Sequence, residues 1–205
     1  MSDLESKQRI LEAAARIFAE KGFDGARVDE IAKAAQVNKA LIYYYFKSKD
    51  EILEVLCHET LEHLFAFMAA EQFAKADLSN LPELKAILGQ YLDALEEHEQ
   101  VIRVLLMESL KAAPDRSLVF GLIKETMTRM FASGVATNLS MEQAAQSEVM
   151  EFFTGIMPLL NYVVYHNHWM KHFSMTEPEL RDMFMDAFIG THVTYSFRLY
   201  GAKGT

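Results

Sequence analysis

Helix punctuation runs along this sequence from end to end, and no stretch alternates polar and apolar residues as a half-buried strand must. Ile10, Leu11, Ala14, Ile17 and Phe18 recur at helical spacing. That run stops at Lys21 before Gly22, a residue suited to a left-handed C-terminal cap, and Phe23 then falls where it can pack back on Phe18. A short helix is expected over 28–35, with Val28, Ile31 and Ala32 or Ala35 inward. Asn38 is a strong N-cap for the next segment, KALIYYYF, in which Ile42, Tyr45 and Phe46 make the buried i, i+3, i+4 face. A long helix is expected from Lys49 to about Ala76. Pro82, Pro114 and Pro178 each stand where a helix begins. Ser140 with Gln143, and Thr176 with Glu179, have capping-box spacing before helices at about 141–172 and 177–200. Pro158, close to Gly155, predicts a kink in the first of these. The expected fold class is all-α.

A length of 205 residues suits one domain, or a small domain fused to a larger one, and the division expected here is 1–50 and 51–205. With 51% hydrophobic residues, 24% charged, 9 Gly and 4 Pro, the chain is neither disordered nor collagenous. A single cysteine, Cys57, excludes an intramolecular disulfide and a cysteine-based metal cluster. The longest apolar stretch, 152–165, is interrupted and too short to span a membrane, and MSDLESKQRI lacks the features of a signal peptide. A cytoplasmic protein without a membrane partner is expected.

The net charge of -9 argues at face value against a polyanionic partner. It is unevenly spread. Residues 1–50 carry nine Lys and Arg against eight Asp and Glu, leaving eleven against twenty-one for 51–205. The first quarter can therefore meet DNA while the remainder stays acidic. Its two short helices joined by a tight turn, at about 28–35 and 39–45, describe a helix-turn-helix within a three-helix head. Three consecutive aromatics cannot all face inward on a helix, so some of the tyrosines are exposed. The outer face would present Lys39, Ala40, Leu41, Tyr43 and Tyr44 to a major groove that admits one helix. Lys39 can donate to guanine or phosphate, Ala40 and Leu41 can touch a thymine methyl, and the tyrosine hydroxyls can reach phosphate. Lys47 and Lys49 are placed to neutralise phosphates, as Arg27 is from the start of the preceding helix.

Residues 8–53, and above all VDEIAKAAQVNKALIYYYFKSKDEIL from Val28 to Leu53, resemble the DNA-binding domain of the tetracycline-repressor (TetR) family of bacterial regulators. The resemblance covers about a quarter of the chain and joins several elements in order: a first helix ending in Gly22-Phe23, the IAKAA helix, the YYYF helix and the Lys-Ser-Lys exit. It implies a homodimeric, all-helical repressor whose larger C-terminal domain binds a small-molecule effector and alters the separation of two recognition helices. It also implies that Lys39, Tyr43, Tyr44 and Lys49 lie against DNA, with Val28 near the backbone. Three residues depart from the family pattern. Gln36 stands where the turn usually has Gly, Ala26-Arg27 where Thr or Ser caps the second helix, and Leu41 where a polar residue is common.

HETLEH at 58–63 is not the metalloprotease HExxH, because Glu62 occupies the place of the second histidine. His58 with Glu62, and His168 with His172, share helical faces without a third ligand, so no metal is expected. Neither a nucleophile triad nor a phosphate loop can be assigned, no cofactor is implied, and the chain is not expected to be an enzyme. Twelve Met among many aromatics favour an adaptable lining for an apolar or aromatic effector. The candidates are Phe65, Met68, Tyr91, Met107, Met127, Phe153, Met157 and Asn161, against the plainer reading of a packed core. The last two helices are apolar on more than one side, so dimerisation through a four-helix interface competes with burial inside one subunit. Two alternatives stand beside a ligand-released repressor: an all-helical small-molecule binder or catalyst that no longer needs DNA, and a repressor that needs no ligand.

Overall fold

The computed structural model describes residues 3–68, 80–111, 113, 117–132 and 140–200, and among them there is helix and no strand. The helices are α1 (Asp3–Gly25), α2 (Val28–Ala34), α3 (Lys39–Tyr45), α4 (Lys49–Met68), α5 (Leu81–Glu96), α6 (Glu99–Ser109), α7 (Leu118–Ala132) and α8 (Met141–Met150), followed by α9 (Met157–Phe173), α10 (Glu177–Phe188) and α11 (Thr194–Tyr200). A π-helical segment π1 (Glu151–Ile156) joins α8 to α9, and π2 (Ile189–Val193) joins α10 to α11. The part of the long fourth helix expected beyond Met68, and Pro114 itself, lie outside the described residues. No helix among the described residues is long and apolar enough to cross a membrane.

Two compact units divide the chain: Met1–Phe65 with His98–Val119, and Ala66–Glu97 with Phe120–Thr205. In the first, α1 packs on α2, α3 and α6. Ile10, Leu11, Ala14 and Phe18 are buried, as the periodicity predicts, with Ile31, Ile42, Phe46 and Ile52 from the following helices. Each of the larger of these side chains contributes about 1.5–3 kcal/mol when withdrawn from water. Gly22 (φ 73, ψ 161) ends the regular part of α1, and Phe23 lies 5.3 Å from Phe18, ring to ring. Lys111, just after α6, joins Asp24 at 3.0 Å and Glu108 at 2.7 Å. Cys57 is buried, and burial pushes its thiol up to about 12, so it is a core residue rather than a reactive one.

In the second unit, α5 packs on α9 and α10 through Leu88, Leu92 and Leu95. Lys85 holds Asp182 and Asp186 at 2.6 and 2.7 Å, and Arg181 donates to the Gly89 carbonyl and to Asp93. The backbone stays helical past Pro158. In π1 the Met157 N–H reaches the Phe152 carbonyl, five residues back, so the ladder lengthens by one residue just before the proline that cannot donate. Hydroxyls occupy carbonyls around these segments: Thr154 donates to the Met150 carbonyl at 2.8 Å, and Thr194 to that of Ile189 at 2.9 Å.

The two π segments pack on each other at Gly155 and His192. Because the Thr154 hydroxyl gives its proton to Met150, the His192 Nδ1–H donates to Thr154 Oγ1 at 3.0 Å, and Nε2 lies 3.6 Å from buried Glu151. Burial pushes the His192 imidazole down to about 4 from its ordinary 6.5. Between those values the unfolded chain holds a proton that the folded chain does not, so this histidine's contribution is complete above pH 6.5 and is lost as pH falls toward 4. Stability measured by urea unfolding is expected to fall by about 2 kcal/mol from pH 7 to pH 5 on this account. Most of that loss should be absent in His192→Gln, and an equal loss in both proteins would refute the assignment.

Candidate nucleic-acid interface

The tight turn of the head is a helix C-cap followed by a helix N-cap. After α2 the N–H of Val37 donates to the Ala32 carbonyl at 3.0 Å and that of Gln36 to Lys33 at 3.3 Å, with Gln36 at φ 56. This is the Schellman arrangement, built without its usual glycine. A non-glycine residue in the left-handed region carries a cost of about 1–2 kcal/mol, partly offset by the backbone freedom that glycine loses on folding. Gln36→Gly is therefore expected to raise unfolding stability by about 0.5–1 kcal/mol. A loss of stability in chemical denaturation would contradict the turn geometry. One residue on, the Asn38 side chain accepts from the Leu41 N–H at 2.8 Å and starts α3.

That cap fixes the rotation of α3. Ile42 and the following Phe46 are buried, Tyr45 is half-buried, and Tyr43 and Tyr44 are 51% and 72% exposed, so the three tyrosines divide as the 100° spacing requires. Lys39 and Ala40 are exposed and Leu41 half-buried. Lys39 Nζ lies 2.9 Å from Asp29 of α2, whose carboxylate raises the lysine's proton affinity. Arg27 is exposed at the N-cap of α2, with Val28 half-buried beside it. Arginine has no side-chain acceptor, so only half a capping box forms, with Glu30 accepting from the Arg27 N–H at 3.3 Å. Lys21 binds the same carboxylate at 2.6 Å and holds Glu30 below the usual carboxylate range.

At the exit from α3, Ser48 accepts from the Glu51 N–H at 3.1 Å while Glu51 accepts from the Lys47 N–H at 2.5 Å. Lys47 is exposed. Lys49 differs: its ammonium is half-buried and donates to the carbonyls of Phe23 at 2.5 Å and Ala26 at 3.1 Å, 4.3 Å from the Phe23 ring centre. The roles of Asp29 and of these carbonyls were not visible in the sequence, because they depend on how side chains pair between separate elements, neighbouring ones for Lys39 and ones more than twenty residues apart for Lys49. The structure thus brings Arg27, Val28, Lys39, Ala40, Leu41, Tyr43, Tyr44 and Lys47 onto one small module and turns Lys49 inward.

The candidate effector residues lie on several helices. Phe153 lines an open groove of about 640 Å³ with Val149, Met150, Thr154, Thr191 and Tyr195. Met157 is half-buried and Asn161 exposed on α9, and Met127 is buried on α7. Tyr91 on α5 is half-buried, with its phenol pushed up to about 12 by burial. Met107 is exposed on α6, in the other unit. The side chains of Phe65 and Met68 lie outside the described residues.

A three-helix head whose second and third helices meet at a capped turn, with an exposed aromatic and basic third helix, defines a helix-turn-helix protein. Residues 10–56 match the family described as bacterial regulatory proteins, tetR family. The chain is 33% identical over 108 residues to the HTH-type transcriptional repressor NicS of Pseudomonas putida, covering 51% of this chain and 49% of NicS. It is 31% identical over 108 residues to the HTH-type transcriptional regulator RutR of Escherichia coli K12, covering 53% and 50% of the two chains. It spans about half the length of these curated relatives. Its fold is that of a transcriptional regulator (TerR/AcrR family) from Aquifex aeolicus, with a TM-score of 0.62, 23% identity, and coverage of 88% of this chain and 96% of that one. The match to the tetR family thus lies on residues 10–56, the part of the chain that holds the helix-turn-helix.

Proposed function

We propose that this chain is a cytoplasmic, homodimeric transcriptional repressor, not an enzyme, that binds a palindromic operator and releases it when a small apolar or aromatic effector binds. The observation that carries the reading is the outward face of α3, where Tyr43 and Tyr44 are exposed beside Lys39, Ala40 and Leu41, flanked by Arg27 and Lys47. A helix of this kind fits one major groove, and two copies related by a two-fold axis would meet half-sites about 34 Å apart. In this reading residues 1–50 bind DNA and 51–205 bind effector and partner. Exposed Val149, Phe153, Tyr165, Trp169, Phe173, Met183 and Tyr195 on the helices from α8 to α11 support an isologous interface there. Phe65, Met68, Tyr91, Met107, Met127, Met157 and Asn161 remain the proposed effector contacts, together with Phe153. Effector acts by binding one conformer more tightly than the other, which moves the two heads out of register with successive grooves.

Selection of duplexes from a random library by the purified protein tests the reading. Recovery of a palindrome, bound less well by Tyr44→Ala, is the expected result. No enrichment, together with weak binding that ignores Tyr44→Ala, would overturn it.

A further inference from the structure

Lys49 has the composition of a phosphate ligand and the surroundings of a structural cation. An ammonium has three N–H donors. Here two point at main-chain oxygens, those of Phe23 and Ala26, and the charge sits over the Phe23 ring at 4.3 Å. Those carbonyls belong to the turn in which the chain, having left the regular part of α1 at Gly22, changes direction toward α2. Carbonyls at such an end carry partial negative charge, which makes a lysine a natural cap, here added to the Ala26 N–H that the Phe23 oxygen accepts at 3.3 Å. Moving the ammonium out to a phosphate would strip both oxygens of this donor beside Ala26, which is buried.

What Lys49 joins matters as much as what it binds. Its backbone is the first residue of α4, and its ammonium grips the residue immediately before Arg27. Arg27 is the N-cap of α2, and Val28 is its first residue. Lys47, two positions earlier, offers the contrast: it is exposed, and its ammonium makes no ion pair among the described residues.

We propose that Lys49 is a positioning residue, a strut from the start of α4 to the α1–α2 corner, which sets Arg27 and Val28 against DNA without itself neutralising a phosphate. This rests on the DNA-binding reading above. A displacement of the α4 N-terminus would reach the start of α2 through this side chain.

The test compares Lys49→Met, which keeps the apolar stem and removes the donors, with Lys49→Arg and Lys47→Met, all in the full chain and well below the unfolding temperature. Hydrogen exchange of the DNA-free protein is measured over residues 23–30. Affinity for the selected duplex is measured across salt concentrations. Lys49→Met should speed exchange over 23–30 about tenfold and weaken duplex binding about tenfold with an unchanged salt slope. Lys49→Arg should restore most of both. Lys47→Met should leave exchange alone and flatten the slope by about 0.9 per protomer.

A slope that flattens in Lys49→Met as in Lys47→Met, with exchange unchanged, would overturn the proposal in favour of a phosphate contact. Faster exchange with unaltered duplex affinity would overturn it in favour of a purely structural cap. Wild-type protein that binds no duplex would remove the DNA-binding reading and the positioning role with it, while the exchange arm would still report whether Lys49 holds the corner.

Discussion

Replacing Arg27, Lys39 and Lys47 together by alanine is expected to weaken operator binding about a thousandfold at 0.15 M salt and to flatten the salt slope by about 4–5 per dimer. The estimate rests on the linear relation between log affinity and log salt, with about 0.9 of slope for each phosphate neutralised and six side chains removed from two heads. The three are not equivalent. Arg27 and Lys47 are exposed, whereas Lys39 already has Asp29 at 2.9 Å and exchanges one partner for another on docking. Lys39→Ala alone should therefore move the slope least, and Asp29→Asn should strengthen non-specific binding by freeing the lysine. Titrations of the triple variant on the selected duplex and on unrelated DNA decide the matter. A slope that stays at the wild-type value would place the DNA-binding surface elsewhere.

Gly155→Val should cost about 3 kcal/mol of folding stability. A Cβ at this position would lie 2.6 Å from His192 Cε1 and 3.0 and 3.1 Å from its two ring nitrogens. The imidazole has little room to yield, because Thr154 holds Nδ1 and buried Glu151 stands beyond Nε2. Shrinking the ring should relieve the clash. His192→Ala introduced into Gly155→Val should restore part of the loss, with a coupling of about 1–3 kcal/mol in a double-mutant cycle. Urea unfolding of the four proteins gives both numbers. A Gly155→Val protein within about 0.5 kcal/mol of wild type would mean that the two π segments do not pack this closely.

These two expectations differ in how much of their basis could be read from the sequence. The head was legible because its signals are local: Gly22 ends a helix, Asn38 begins one, and the arrangement of Ile42 and Phe46 leaves Tyr43 and Tyr44 outside. The left-handed position of Gln36 was legible through the resemblance instead, because the family's turn usually has Gly there. The inward turn of Lys49 was not, because it depends on carbonyls more than twenty residues earlier. Pro158 and Gly155 signalled an irregular helix, and the form it takes is a lengthened hydrogen-bond ladder, set partly by the facing His192. The expected effector residues were chosen for side-chain character alone, and character does not say which of Tyr91, Met127 and Phe153 share a space.

The lengthened ladder at π1 also sets a phase. Sixteen residues of uninterrupted α-helix would leave Tyr165 about 160° around the axis from Val149. The extra residue held in a π turn takes about 100° out of that angle, which brings the two side chains toward one azimuth, and each is 59% exposed. Shortening 151–156 by one residue would keep the helix and every residue type on it, yet rotate Tyr165, Trp169 and Phe173 away from Val149 and Phe153. The proposed contact face is thus tuned by residue count rather than by composition alone.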